Sequence, residues 1–214
     1  MKTIALVAGG PKENLPYLNN FNHQDVTWVG IDKGTIYVKE CGLPLAYAFG
    51  DFDSISENEK FSLTEEQQNI SIYPPEKDKT DTELALEWAL IQKPKLIQLF
   101  GATGGRLDHL LANIHLLLMG LSTDTKIEII DCQNQITLYR PGTYTIMKHK
   151  DWKYISFIPV SREVKGITLI GFKYPLNNCH ITMGSTLCIS NELICEQGTF
   201  SFLEGILLMV RSRD

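Results

Sequence analysis

Four short acidic clusters punctuate the first half of the chain: Asp32, then Gly50-Asp51-Phe52-Asp53-Ser54, then Asp78-Lys79-Thr80-Asp81, and finally Gly104-Gly105-Arg106-Leu107-Asp108-His109. Carboxylates gathered in one place repel each other unless a divalent cation, and behind it a polyphosphate, accounts for their charge. The chemistry they suggest is that of a magnesium-nucleotide centre. Asp51 and Asp53, two residues apart, project to the same side of an extended segment. Gly50 permits close backbone approach ahead of them, and Ser54 can cap the turn that follows. They are the best candidate magnesium ligands in the chain. At each site taken singly, Asp, Ser and Gly are also ordinary turn residues, and Asp81 or Asp108 could do no more than favour a helix N-terminus. Four such placements on one predicted edge are harder to obtain from turn chemistry alone.

A second feature is the loop Gly101-Ala102-Thr103-Gly104-Gly105-Arg106, which links an apolar run to a helical pattern. Its backbone N–H groups and the helix dipole suit a phosphate, and Arg106 adds a mobile cation. The G-x-x-x-x-G-K-[ST] spacing of a Walker A loop is absent, and the glycines could also serve only a tight turn. Lys77 and Lys79 flank Asp78 and either neutralise phosphate or stay solvated. His109 can donate to a phosphate or leaving oxygen, or be structural. His23, His115, His149 and His180 are scattered, with no chemistry assigned.

The elements that must position these groups fall into two patterns. Up to about residue 125, short apolar runs at 3–7, 27–31, 45–49 and 96–100 alternate with helical stretches. That alternation predicts an α/β domain with a mainly parallel, Rossmann-like sheet. Residues 33–41 read as a helix stopped by Gly42. Thr80-Asp81-Thr82-Glu83 has the form of a capping box and opens a helix on which Leu84, Trp88 and Ile91 share a face. Leu107, Leu110, Leu111, Ile114, Leu117, Leu118 and Leu121 form an apolar stripe that predicts a core helix. From about residue 126 the helical period disappears. Runs at 143–147, 154–158, 166–170, 185–190, 199–202 and 206–210 predict a small all-β sandwich. The expected domains are therefore residues 1–125 and 126–214, abutting at the short polar Ser122-Thr123-Asp124-Thr125.

A chain of 214 residues, 43% hydrophobic, has enough apolar material for one sizeable core or two smaller ones. A net charge of −5 argues against a nucleic-acid protein held by phosphate contacts. Five dispersed cysteines without a C-x-x-C pair predict reduced, mostly buried thiols. The opening apolar run is too short for a signal-peptide core, and no later stretch approaches a membrane span. A soluble, cytoplasmic protein is expected.

With these elements in order, the chain resembles the thiamine pyrophosphokinase family, particularly its bacterial form. The match rests on Gly30-Ile31-Asp32-Lys33-Gly34-Thr35, on the three later acidic motifs, and on Ser190-Asn191-Glu192 followed by Gly205-Ile206-Leu207-Leu208. More distant members carry D-G-G or D-G-A where this chain has Asp32-Lys33-Gly34. The resemblance implies transfer of a pyrophosphoryl group from ATP to the hydroxyl of thiamine, giving thiamine diphosphate and AMP. It implies a homodimer with thiamine between the catalytic domain of one subunit and the β domain of the other. Asp51, Asp53, Asp81 and Asp108, with Arg106, would form the catalytic group, and Mg2+ would sit on the first three. Asp32, Lys33, Asp78, Lys79, Thr80, Thr103, Gly104, Gly105 and His109 would hold the nucleotide. Ser190 and Asn191 would hold the thiamine ring system, with Trp28, Trp152 or Phe202 as stacking candidates and Glu192 as counter-charge or turn cap.

Rival readings exist. Asp51-Phe52-Asp53-Ser54 also resembles the D-x-D-x-[ST] strand end of haloacid-dehalogenase phosphohydrolases, although that motif usually follows a first strand. A nucleotide-sugar transferase with a D-x-D metal pair is another possibility, and a non-catalytic nucleotide or thiamine sensor on the same scaffold is a third.

Overall fold

A computed structural model describes residues 2–50, 70–72 and 78–214, the backbone alone for 70–72. The chain divides into two compact units, residues 1–132 and 133–214.

In the first unit six strands pair in parallel: β1 (Thr3–Val7), β2 (Val26–Ile31), β3 (Leu45–Gly50), β4 (Ile70–Ile72), β5 (Leu96–Phe100) and β6 (Lys126–Ile130). Their spatial order is β4-β3-β2-β1-β5-β6. Ile4, Ala5, Leu6 and Val7 of the central strand β1 are all fully buried, as expected where a parallel sheet is covered on both faces. The sequence pattern had placed the change of grammar at residue 126. β6 nevertheless continues the parallel sheet, with Ile127 opposite Ile97 and Ile129 opposite Leu99. Its length and apolar character do not distinguish it from the antiparallel strands that follow; its pairing partner does.

Helices α1 (Gly34–Glu40), α2 (Asp81–Ile91) and α3 (Leu107–Leu116) accompany the sheet. The Thr80 hydroxyl accepts the Glu83 N–H at 3.2 Å, the N-cap contact read from the sequence. The buried face of α2 is Ala85, Leu86 and Ala89, however, and Ile91 is exposed. Trp88 is half-buried against Tyr47 and Phe49, at centroid distances of 4.5 and 5.5 Å. α3 departs further from expectation. Leu107 and Leu111 are 73% and 58% exposed, and within the helix only Asn113 is buried. Asn113 donates its amide to the Ala102 carbonyl at 3.0 Å, so a polar residue is turned inward while Leu107 and Leu111 face outward; of the expected stripe Leu117, just past the helix end, is buried.

The second unit contains two antiparallel sheets. One has the order β7 (Asn134–Tyr139), β13 (Leu207–Ser212), β9 (Tyr154–Pro159). The other runs β11 (Leu176–Thr182), β10 (Glu163–Ile170), β12 (Gln197–Phe202), β8 (Gly142–Met147). Alternate residues of β12, including Phe200 and Phe202, face a core shared with Phe157, Phe172, Ile167, Leu169, Leu207 and Met209. This is the predicted sandwich. Residues 185–190 form a turn and not the expected strand. The Ser185 hydroxyl accepts the Leu187 N–H, and Ile189 N–H donates to the Thr186 carbonyl, so local bonds replace a ladder.

The cysteines are free, but only Cys188 is buried, and Cys195 is exposed. Burial pushes the Cys188 thiol up to about 11. A thiol reagent near pH 8 should therefore label Cys195 early and Cys188 only after unfolding; early Cys188 labelling, read by peptide mass, would contradict this packing. Phe200 is fully buried among Tyr139, Tyr144 and Phe157. Phe200→Ala should cost roughly 3–5 kcal/mol in denaturant unfolding.

Candidate active site

In an open parallel sheet the crevice for a ligand lies outside the carboxyl ends of the strands, where the strand order reverses. Here the chain builds outward from β1 on one side through β2, β3 and β4, and on the other through β5 and β6. The reversal therefore falls between β1 and β5. The loops leaving these two strands meet there: Ala8 N–H donates to the Phe100 carbonyl at 2.8 Å, and Gly10 N–H to the Gly101 carbonyl at 2.9 Å. A Cβ on Gly10 would overlap that Gly101 carbonyl, so the approach requires glycine. Above the two loops is a cleft of about 630 Å³.

Asp32, Lys33, Thr103, Gly105, Arg106 and His109 all line this cleft. Asp32 follows β2 with a left-handed φ of 49°, its N–H donating to the Phe49 carbonyl at 2.8 Å and its carbonyl accepting from Thr35 N–H at 3.0 Å. Gly50 ends β3 with φ of 141°, and a Cβ there would overlap Asp32 Oδ1. The Asp32 carboxylate thus stands where the chain leaves β3 toward Asp51 and Asp53, which themselves lie outside the described residues. Lys33 holds its ammonium 5.8 Å from the Tyr37 ring centroid.

At the start of α3, Arg106 grips Asp108 with two bonds, Nε to Oδ1 at 3.1 Å and Nη2 to Oδ2 at 2.6 Å. The guanidinium, and then the His109 N–H, hold the Asp108 carboxyl below its usual range. Asp108 thus reaches the cleft through Arg106. Gly104 packs against the Asn14 side chain. Asp81 lies in the first turn of α2, whose Thr82 lines the cleft. Asp78 and Lys79 are exposed, and Lys79 is bound to Glu87 and Glu83 of α2. Thr80 is occupied as the helix cap. Residues not singled out from sequence also line the cleft: Gly9, Gly10, Lys12, Tyr37 and Asn113. The double glycine after β1 was visible, but its meeting with Gly101 was not.

In the β unit, Asn191 is 3% exposed and its side chain is fully engaged. Oδ1 accepts from Tyr174 N–H at 3.0 Å and from Glu192 N–H at 2.9 Å, and Nδ2 donates to the Tyr174 carbonyl at 2.9 Å. Asn191 is a bracket that holds Tyr174, whose own ring is 58% exposed. Ser190 is exposed, with φ of 57° and its N–H donating to Ser156 Oγ at 2.9 Å. Trp28 and Phe202 are buried in their cores and offer no face. Trp152 lies between His149, stacked at 4.6 Å, and the Arg211 guanidinium at 5.7 Å. Glu192 is bridged by Lys173 at 3.1 Å and Lys153 at 3.8 Å, so its charge is compensated locally. Tyr174 was missed because nothing in its sequence neighbourhood separates it from a core aromatic.

Residues 18–129 match the profile of the thiamin pyrophosphokinase catalytic domain, and residues 143–207 that of the thiamin pyrophosphokinase vitamin B1 binding domain. Thiamine pyrophosphokinase of Bacillus subtilis (strain 168) is 54% identical over 214 residues, all of both chains. The crystal structure of thiamine pyrophosphokinase from Bacillus subtilis superposes with a TM-score of 0.95, at 54% identity and full coverage of both chains. That of thiamin pyrophosphokinase from Geobacillus thermodenitrificans gives 0.92, at 53% identity, covering 99% of this chain and 98% of the other. With both domains matched in order and more than half the residues shared along the whole length, the chain belongs to the thiamin pyrophosphokinase family.

Proposed function

We infer that this chain transfers the pyrophosphoryl group of ATP to the hydroxyl of thiamine, producing thiamine diphosphate and AMP. The observation that carries the reading, within a family of that activity, is the glycine-floored cleft at the β1/β5 reversal, with Lys33 and Arg106 on its walls. The haloacid-dehalogenase and sensor readings find no support in the family match.

The residues in this cleft suit a bent triphosphate. Backbone N–H groups of the 101–106 loop and the α3 N-terminus favour phosphate oxygens, with Thr103, Gly104, Gly105 and His109 contributing. Arg106, oriented by Asp108, stabilises charge that develops as the β-phosphorus accepts the thiamine oxygen and the bond to the α-phosphate oxygen breaks. A carboxylate held low by a guanidinium is a poor proton acceptor, which disfavours Asp108 as the base for the thiamine hydroxyl. Asp32, Lys33, Asp78, Lys79 and Thr80 complete the proposed nucleotide group; Asp78, Lys79 and Thr80 support it from the start of α2.

Asp51, Asp53 and Asp81 are the proposed holders of Mg2+, backed by Asp32. The Asp32 carboxylate pressed against Gly50 begins an all-oxygen donor set, which fits a hard divalent cation. Such an ion, when bound, would supply positive charge that offsets the charge of the polyphosphate.

The β unit is the proposed thiamine-binding and dimerisation domain. Ser190 and Asn191 are its proposed thiamine contacts, and Tyr174, whose backbone Asn191 holds, is a further candidate, although the Lys173 ammonium lies 5.6 Å from its ring centroid. Exposed Met183, Leu187, Ile189 and Ile194 support burial against a second copy. We place the protein in the cytoplasm. None of its cysteines is in a disulfide, and among the described residues no helix is long and apolar enough to cross a membrane.

Incubation with magnesium, ATP and thiamine should yield AMP and thiamine diphosphate; ADP and phosphate instead would defeat the reading. Asp53→Asn should lower that turnover about 100-fold or more with the melting temperature kept, and near-normal turnover would refute the metal assignment. Arg106→Gln should reduce kcat roughly 100-fold and, in an NMR titration, let the Asp108 midpoint rise toward the ordinary carboxylate range. An unmoved midpoint would show that Arg106 does not hold it.

A further inference from the structure

Directly behind the phosphate loop stands a carboxylate that the mechanism does not use. Asp131, just past the end of β6, is 7% exposed, and its Oδ2 accepts the hydroxyl of Thr103, itself 8% exposed, at 2.8 Å. The next residue, Cys132, donates its N–H at 2.9 Å to the carbonyl of Asn14, whose side chain lies against Gly104. On the other flank of the loop, Asn113 donates to the Ala102 carbonyl. The end of β6 is therefore tied to both of the loops that meet in the cleft.

We propose that Asp131 is a positioning residue for nucleotide binding, which through the Thr103 hydroxyl holds the 101–106 loop in the shape that receives the polyphosphate of ATP. The geometry also specifies how Thr103 acts. Its hydroxyl proton is committed to Asp131, so Thr103 serves phosphate through its backbone and not through its side chain. A charge-assisted bond from a threonine keeps one rotamer and one loop geometry. The inference rests on the cleft being the ATP site.

The test is steady-state kinetics with each substrate varied in turn, on Asp131→Ala, Asp131→Asn, Thr103→Val and the Ala/Val double variant. Loss of one such bond should raise the KM for ATP about tenfold in Asp131→Ala and in Thr103→Val, with the KM for thiamine and kcat held within about twofold. Asp131→Asn keeps an acceptor and should recover most of the loss. The double variant should be no worse than either single one, because both break the same bond. An unchanged KM for ATP, a matching rise in both KM values, or multiplicative effects in the double variant would each overturn the proposal. If Asp131→Ala does not fold, the near-isosteric Asp131→Leu takes its place in the same cycle with Thr103→Val, and an unchanged KM for ATP in it overturns the proposal. If the wild type forms no thiamine diphosphate, the assigned reaction fails, while calorimetric binding of ATP to the same variants still judges Asp131.

Discussion

The close approach of two backbone loops at the strand-order reversal is the constraint on which the α/β unit depends. β1 is paired in parallel on both sides, so its carboxyl end and that of β5 emerge side by side. The bond from Gly10 N–H to the Gly101 carbonyl closes the floor between them, at a separation no side chain on Gly10 would allow. Helices on a parallel sheet begin at this same edge, so their positive ends converge on whatever lies above the floor. An anionic ligand is favoured there before any charged side chain is considered.

The charged side chains around the cleft are mostly committed to partners. Lys12 pairs with Glu40 at 2.6 Å, Lys79 with Glu83 and Glu87, and Arg106 with Asp108. These pairs are exposed, and exposed pairs contribute little to stability. Their consequence is orientation: Arg106 has a fixed direction at the mouth, whereas Lys79 is drawn onto the face of α2. Two cations that look equivalent in sequence are thereby given different work.

The β unit solves a different problem with the same economy of polar groups. Asn191 is buried and satisfies its amide by gripping the backbone of Tyr174 and Glu192. A buried amide that bonds three backbone groups is specific in a way that apolar packing is not. It keeps Tyr174 at the surface while Phe157, Phe172, Phe200 and Phe202 fill the core.

Local signals carried much of this into the sequence. Continuous apolar runs marked β1, β2, β3 and β5, the cap at Thr80 marked the start of α2, and glycine and aspartate marked the loops that form the site. The alternating runs of the second half marked a sandwich. These features are legible because strand period, capping and turn conformation are decided within a few residues. The rest was decided by partners far away in the chain. Composition favoured the leucine stripe of α3 as its inner face, yet within the helix the buried residue is Asn113, bonded to the Ala102 carbonyl, while Leu107 and Leu111 are exposed. Residues 185–190 looked like a strand but turn on local bonds from Leu187 and Ile189, and meet β9 only through single bonds, from Phe157 N–H to the Cys188 carbonyl and from Ser190 N–H to Ser156 Oγ. Asn191 read as a ligand contact, and its amide also brackets Tyr174; Asp131 read as nothing and lies behind the phosphate loop. Sequence alone determined the residue types available for phosphate and metal chemistry. Only the tertiary structure decided which of them meet, because that depends on strand order and on buried hydrogen-bond partners that no local spacing encodes.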